Sequence, residues 1–152
     1  MGDYNILMQF DIAADRDRVR RALTQQDGIA SWWSERSTLR SESAGKRLEV
    51  SFPDVPQPFE FEVIEDTPER IEWRTGGFPP WWAGTSIRWD LSDNPDAPGT
   101  RLMFSHRDYA PDNPVIPIVT PAWAQIILRL KSYAETGAPD PFFRFAAAAT
   151  RA

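Results

Sequence analysis

The middle of the chain is dominated by a two-residue alternation of apolar and polar side chains. The alternation runs through five segments, which are separated by turn residues such as proline, glycine, asparagine and aspartate. This pattern is typical of an antiparallel sheet that has one face in the core and the other in water. The predicted core-facing positions are Leu48, Val50, Phe52, Phe59, Phe61, Val63, Ile71, Trp73, Thr75, Thr85, Ile87, Trp89, Leu91, Thr100, Leu102, Phe104 and His106.

The N-terminal part of the chain predicts one further strand and two short helices. Residues 4–12 alternate loosely and predict a first strand. Asp15 is suited to cap a helix that ends near Leu23, and a second short helix is predicted over residues 27–33. The polar stretch 34–45 then leads into the alternating segments, and no strand is predicted within it.

Towards the C-terminus, apolar side chains recur at steps of three and four residues instead. This spacing predicts a long helix over residues 122–136, with Pro121 in its first turn and Gly137 as its C-cap. The order of elements predicts an α+β fold, in which a curved antiparallel six-stranded sheet wraps around this helix and two short helices follow the first strand. We expect residues 1–143 to form one domain and residues 144–152 to be a frayed or disordered C-terminal tail.

Composition narrows the classes of function. The formal net charge of −5 and the pI of about 4.9 argue against nucleic acid or an anionic membrane as a partner. The chain has no Cys and one His, which argues against disulfides, thiolate catalysis and metal clusters, so we expect no metal site and no cofactor. Since no signal-peptide pattern and no membrane-spanning stretch is present, we expect a cytoplasmic protein.

Seven Trp and nine Phe are many for 152 residues. By strand phase, Phe61, Trp73, Trp89 and Phe104 should face Trp123 across the gap between sheet and helix. These rings either fill the core or line a cavity, and we favour a cavity because five bulky rings are hard to interdigitate without voids. The predicted ligand-binding residues are Trp32, Phe61, Trp73, Trp82, Trp89, Phe104, His106, Trp123 and Ile127.

His106 is the one side chain whose ordinary pKa lies near neutral pH. Its strand phase predicts that it faces inward, where desolvation would keep the imidazole neutral. It would then be a buried core residue, a hydrogen-bonding group for a ligand, or a general acid or base. We name it as the only catalytic candidate, and a weak one, because no partner acid is evident.

Two pairs of tryptophans lie at the ends of segments rather than inside strands. Trp81 and Trp82 follow two prolines, and Trp32 and Trp33 end the second predicted helix. A loop of this kind is either a lid over a cavity mouth or a fixed plug that seals the core. Trp82 and Trp32 are the expected inward members of their pairs.

Four motifs, in the order of the predicted elements, are similar to motifs of one protein family. Residues 28–33 (GIASWW) resemble the paired tryptophans that end the second short helix in that family. Residues 82–87 (WAGTSI) resemble its W-x-GT-x-I strand, and residues 99–106 (GTRLMFSH) its GT-x-L-x-F-x-H strand. Residues 123–137 resemble its final W-x-x-x-L-x-x-L-K-x-Y-x-x-TG helix. Over residues 4–143 the chain thus resembles the helix-grip fold of the START/SRPBCC (birch-pollen-allergen-like) superfamily, in its activator-of-heat-shock-ATPase homology branch.

The resemblance implies several functions, because one fold hosts many. Its members include lipid and hormone binders, polyketide cyclases and co-chaperones. We expect a module that binds a hydrophobic or aromatic small molecule in the cavity between the sheet and the C-terminal helix. One alternative is a polyketide cyclase or aromatase that uses His106 with a hydroxyl of Thr85, Thr100 or Tyr109. Another is a co-chaperone, against which the lack of a second module argues. A homodimer is also left open.

Overall fold

The structure is a computed structural model, and it describes residues 2–145. This part of the chain folds into seven strands, three α-helices and one short 3₁₀ helix, Pro80–Trp82. The strands are β1 (Tyr4–Ile12), β2 (Ser37–Glu42), β3 (Gly45–Val50), β4 (Phe59–Asp66), β5 (Arg70–Thr75), β6 (Ser86–Asp93) and β7 (Thr100–Tyr109). The α-helices are α1 (Arg16–Thr24), α2 (Gln26–Ala30) and α3 (Ile116–Thr136).

The strands form one antiparallel sheet in the order β1-β7-β6-β5-β4-β3-β2. All but one of the side chains predicted to face inward are buried, among them Leu48, Ile71, Trp89 and Leu102, whereas Val63 is only partly buried. Their burial supplies the main driving force for forming the sheet. The α+β helix-grip architecture predicted from the sequence is confirmed.

The sheet has seven strands rather than the predicted six, because β2 lies in the stretch that was expected to be irregular. β2 and β3 form a hairpin in which Leu39 lies opposite Leu48. The remaining β2 side chains are polar or charged and mostly exposed, since β2 is an edge strand with little contact to the core. An edge strand of this kind is held by its backbone ladder and carries little hydrophobic alternation.

The second short helix is shorter than predicted: α2 ends at Ala30 instead of at Trp33. The chain turns after Ser31, and the carbonyls of residues 31–33 accept hydrogen bonds from outside the helix. Asp140 N donates to Ser31 O at 2.8 Å, and Phe143 N donates to Trp33 O at 2.8 Å. The helix ends in a tighter turn, in which Ser31 N donates to Gly28 O at 3.0 Å and Trp32 N donates to Ile29 O at 3.3 Å, each to a carbonyl three residues back. The C-terminal segment then binds carbonyls that the end of a helix leaves without a partner.

The long C-terminal helix begins earlier than predicted, at Ile116 instead of residue 122. Pro117 occupies the first turn, where its missing N–H is harmless, and Pro121 lies inside the helix. Pro121 removes only the bond to the exposed Pro117 carbonyl, one turn from the helix start. Gly137 caps the helix as predicted, with a φ of 78° and its N–H donating to Tyr133 O at 2.7 Å.

The predicted inner face of α3 is confirmed, because Trp123, Ile127 and Leu130 are all buried. The N-cap of α1 is also confirmed: the Asp15 side chain accepts from Arg18 N at 2.8 Å. The structure describes residues 144 and 145 of the predicted tail, whereas the alanine-rich stretch 146–149 and the rest of the tail lie outside the described residues.

Candidate functional site

Most of the predicted ligand-binding aromatics form a solid cluster between the sheet and α3. We call Trp32, Trp73, Trp89 and Phe104 the packed region; each is at most 1% exposed. The Trp89 ring lies 5.4 Å from Trp73, 5.6 Å from Trp32 and 4.9 Å from Phe104, measured between centroids. Edge-to-face and tilted contacts at these distances are favourable and leave little free space.

An apolar pocket of about 300 Å³ lies beside this region, next to the loop that connects β3 to β4. It is lined from four sides: the segment after α2, the loop between β3 and β4 with the start of β4, the 3₁₀ helix, and α3. The C-terminal segment adds one further residue. The lining residues are Trp33, Phe52, Pro53, Val55, Phe59, Trp81, Trp82, Val119, Ala122, Trp123, Ile126 and Phe143, and none of them carries a charge.

The pocket overlaps the predicted cavity only in part. Of the predicted ligand-binding residues, only Trp82 and Trp123 border it. The other seven belong to the surrounding core, where their rings and side chains already contact one another. They are Trp32, Phe61, Trp73, Trp89, Phe104, His106 and Ile127.

The sequence carried a partial signal for the residues that it missed. Trp33 was recognised as one of a pair, but Trp32 was expected to be the inward member; both are buried, and Trp33 is the one at the pocket. Phe52 and Phe59 were placed on the inner face of the sheet, and they meet at 4.6 Å across the pocket end. Phe143 carried no signal, because its contact with Phe52 at 4.8 Å joins distant parts of the chain.

His106 faces inward, as its strand phase predicted, and every ring nitrogen has a partner. Its Nε2 lies 3.0 Å from Thr85 Oγ1, and its Nδ1 lies 3.2 Å from Tyr109 Oη. Trp123 Nε1 donates to the same Nδ1 at 3.1 Å. Thr100, the third hydroxyl considered as a partner, instead donates to Ala14 O at 2.7 Å.

These contacts define the protonation of the imidazole. An indole N–H is only a donor, so Nδ1 accepts from Trp123 and the proton of a neutral His106 resides on Nε2. Nε2 then donates to Thr85 Oγ1, whose own proton goes to Trp82 O at 2.7 Å. Burial lowers the pKa of His106 from 6.5 to about 3, since no charged group compensates for lost hydration. Burial likewise raises the pKa of Tyr109 above its ordinary value.

Two indoles separate His106 from the pocket. Trp82 and Trp123 both line the pocket, and their rings are nearly parallel, 6.1 Å apart with an interplanar angle of 7°. The imidazole lies behind them, 4.6 Å from Trp82 and 6.0 Å from Trp123. His106 does not itself line the pocket, but it contacts both of the indoles that do.

The two tryptophans of the 3₁₀ helix differ in how firmly they are held. Trp82 is buried as predicted, and its carbonyl lies 2.7 Å from the hydroxyls of both Thr75 and Thr85. Trp81 is 43% exposed, and its carbonyl has only a long contact of 3.4 Å with Asn113 Nδ2. Trp82 is thus a fixed wall of the pocket, and Trp81 forms part of its rim.

Neither a membrane span nor a metal site is evident in residues 2–145. None of the helices there combines the length and the apolar composition that crossing a bilayer requires. In the same residues, no three His, Asp or Glu side chains are grouped so as to hold a metal ion.

Comparison with solved structures places the fold among known proteins. The Aha1 dimer from Colwellia psychrerythraea has 25% sequence identity and a TM-score of 0.75, over 88% of this chain and 98% of that chain. A protein from Mesorhizobium loti has 19% identity and a TM-score of 0.69, over 85% and 95% of the two chains. DynU16, from the dynemicin biosynthetic locus, has 20% identity and a TM-score of 0.69; the match covers 94% of this chain and 51% of DynU16.

Comparison of the sequence gives the family. No sequence among the curated proteins matches this chain. The family model described as "Activator of Hsp90 ATPase homolog 1-like protein" matches residues 13–135, a range that holds all the lining residues of the pocket except Phe143. The chain therefore belongs to the family of activator of Hsp90 ATPase homolog 1-like proteins, a branch of the SRPBCC superfamily.

Proposed function

We propose that this protein binds a compact, neutral, hydrophobic or aromatic small molecule in the pocket between α3, the 3₁₀ helix and the β3–β4 end of the sheet. The observation that carries the proposal is the lining of the pocket, which is apolar on every side. It includes the indoles of Trp33, Trp82 and Trp123, and that of Trp81 at the rim. The volume of about 300 Å³ lies at the lower end of the range of small-molecule pockets.

The physical basis is burial of apolar ligand surface. An apolar ligand gives up little favourable hydration free energy when it moves from water into the pocket. There it gains contacts with rings that the surrounding core already holds in place. A charged ligand would lose its hydration without gaining a partner, because none of the lining side chains is ionisable. The pocket should therefore prefer neutral ligands over anions of similar size.

The test measures how tightly a neutral fluorescent probe, N-phenyl-1-naphthylamine, binds to the wild type and to a variant in which a larger side chain fills the pocket. Ala122 lines the pocket on α3, so Ala122→Phe should place a ring inside it and lower probe affinity about tenfold or more. Gln125→Phe is the matched control, since Gln125 is exposed on the same helix and away from the pocket. Equal binding by wild type and both variants would show that the probe binds elsewhere, and the proposal would then be wrong.

An enzymatic role for His106 is less well supported by the geometry. Thr85 and Tyr109 are its hydrogen-bond partners, as the cyclase alternative required, but Trp82 and Trp123 stand between this group and the pocket. A substrate in the pocket would not reach the imidazole without displacing an indole.

The second candidate function is that of a co-chaperone, and the family description favours it. The Colwellia Aha1 chain is matched over 98% of its length, so a chain of that name need not exceed this domain in length. A second module is therefore not a condition for considering a co-chaperone function. The measurement is the rate of ATP hydrolysis by a bacterial Hsp90 with and without this protein, with Ala122→Phe as a variant that separates a pocket-dependent effect from one that uses another surface.

We also propose that a homodimer forms, by analogy with the Aha1 dimer from Colwellia. Leu7 on edge strand β1 is 61% exposed, and Met103 lies diagonally across from it on the outer face of β7 with 37% exposure. Sedimentation velocity of wild type and Leu7→Lys tests this arrangement. A wild-type dimer that the substitution converts to monomer supports it, and a monomeric wild type excludes it.

A further inference from the structure

We infer that the C-terminal segment after α3, through the ring of Phe143, sets the size of ligand that the pocket accepts. The inference rests on the proposed binding function and adds to it a residue that determines specificity. Phe143 is the one lining residue that lies beyond the range matched by the family model, which ends at residue 135. The part of the chain that the family model matches provides the rest of the pocket, whereas this last wall comes from the segment that follows it.

The segment is fixed along one side by backbone pairing with the residues that follow α2. Phe142 N donates to Trp32 O at 3.1 Å and Phe143 N to Trp33 O at 2.8 Å, while Glu35 N donates back to Phe143 O at 3.1 Å. These bonds form a short parallel bridge between Ser34 and Phe143. Since Trp33 itself lines the pocket, the pairing fixes Phe143 relative to a wall that the core already holds in place.

On its other side the segment is held by α3. Arg129 forms an ion pair with Asp140 at 3.1 Å, and its Nη1 also donates to the carbonyls of Asp140 and Pro141. The Arg129 guanidinium lies 5.5 Å from the centre of the Phe142 ring. Exposed ion pairs contribute little alone, but here three kinds of contact converge on one short stretch of chain.

The side chain of Phe143 closes the pocket rather than filling the core. Its ring lies 4.8 Å from Phe52 and 5.0 Å from Phe142, and it remains partly exposed. Removing the ring should therefore lengthen the pocket at this end, with little loss of core packing. A larger ring should shorten the pocket.

The experiment measures how affinity depends on ligand length. Neutral 4-n-alkylphenols of increasing chain length compete with N-phenyl-1-naphthylamine for the full-length protein. Each methylene that enters the pocket should raise affinity about fourfold, until the pocket is full and affinity levels off. Phe143→Ala should move this plateau to a longer alkylphenol, and Phe143→Trp should move it to a shorter one.

Phe145→Ala serves as the matched control, because Phe145 belongs to the same segment but packs under Arg36 at 3.9 Å and does not line the pocket. It should keep the wild-type plateau. An unchanged plateau in both Phe143 variants, or an equal shift in Phe145→Ala, overturns the inference while leaving the binding function intact. A wild type that binds no alkylphenol and no probe overturns the proposed function itself, and the inference falls with it.

Discussion

The rings of Trp89 and Trp81 are linked through those of Trp82 and Trp123, yet their surroundings differ. Trp89 has no exposed surface and contacts the rings of Trp32, Trp73 and Phe104, whereas Trp81 is 43% exposed and contacts the rings of Phe59 and Trp82. Trp89 lies in a strand of the sheet, and Trp81 lies in a 3₁₀ helix outside it. The comparison shows that an abundance of aromatic residues does not itself create a cavity.

What creates the cavity is the kind of element that carries the rings. In the packed region the rings come from adjacent strands and from the turn after α2, at a spacing set by the sheet ladder, so they interdigitate. At the pocket, α3 forms one wall and β4 contributes only its first residue, Phe59, whereas the other walls come from loops, the 3₁₀ helix and the C-terminal segment, whose spacing the ladder does not control. The largest expected effects of substitution should therefore fall in the packed region, and effects on binding should fall at the pocket.

Trp89→Ala should give the largest loss of stability. Removing a fully buried indole loses its burial and leaves a void that the rigid sheet cannot close, which costs about 3–5 kcal/mol in the free energy of unfolding. Urea denaturation followed by far-UV circular dichroism measures this without relying on tryptophan fluorescence. A loss below about 1.5 kcal/mol would mean that the ring already borders empty space, and the contrast between the two regions would disappear.

The free energy of unfolding should decrease as the pH falls, because His106 is buried in its neutral form. Its pKa is about 3 in the folded protein and 6.5 when unfolded, so the unfolded state binds the proton first as pH falls. Stability is therefore complete above pH 6.5 and is lost progressively down to pH 3. Between pH 7 and pH 5, where carboxylates remain largely ionised, the loss should be about 2 kcal/mol.

Comparison with His106→Gln isolates this effect. The variant keeps a side chain that donates and accepts hydrogen bonds but cannot titrate, so its free energy of unfolding should be nearly constant between pH 7 and pH 5. Denaturant titrations at several pH values in this window measure both proteins. If wild type and variant lose stability in parallel, the imidazole is not held in its neutral form by burial.

The fold was largely predictable from the sequence because apolar residues recur at every second position in a half-buried strand and at every third or fourth position in a half-buried helix. The inner faces of β3 to β7 and of α3 show that period, and Asp15 and Gly137 carry the local chemistry of helix caps. β2 was missed because an edge strand buries little, and the start of α3 was missed because Pro117 and Pro121 are equally suited to a first turn.

The candidate site was much less predictable, for a physical reason. Strand phase correctly placed Trp73, Trp89 and Phe104 inward, but phase says nothing about whether inward rings touch or leave space. The walls that leave space depend on long-range docking, such as the pairing of Phe143 with Trp33, and no local pattern records such contacts. His106 shows the same limit: its inward direction was evident, and Thr85 and Tyr109 were among the hydroxyls considered, but its contact with Trp123 Nε1 was not predicted.

Trp81→Ala should have the smallest effect on stability and a clear effect on binding. The ring is partly exposed and has two aromatic neighbours, so its removal should cost about 1 kcal/mol or less in the free energy of unfolding. The same ring forms part of the pocket rim, and the loss of one aromatic contact with a bound probe is worth about 0.5–1.5 kcal/mol. Affinity for N-phenyl-1-naphthylamine should therefore fall roughly 2- to 12-fold while the fold remains intact. Probe titration and urea denaturation on the same preparation measure both quantities. A loss of stability as large as that of Trp89→Ala would show that Trp81 is a structural plug, because only a ring that seals the core supports the fold to that degree.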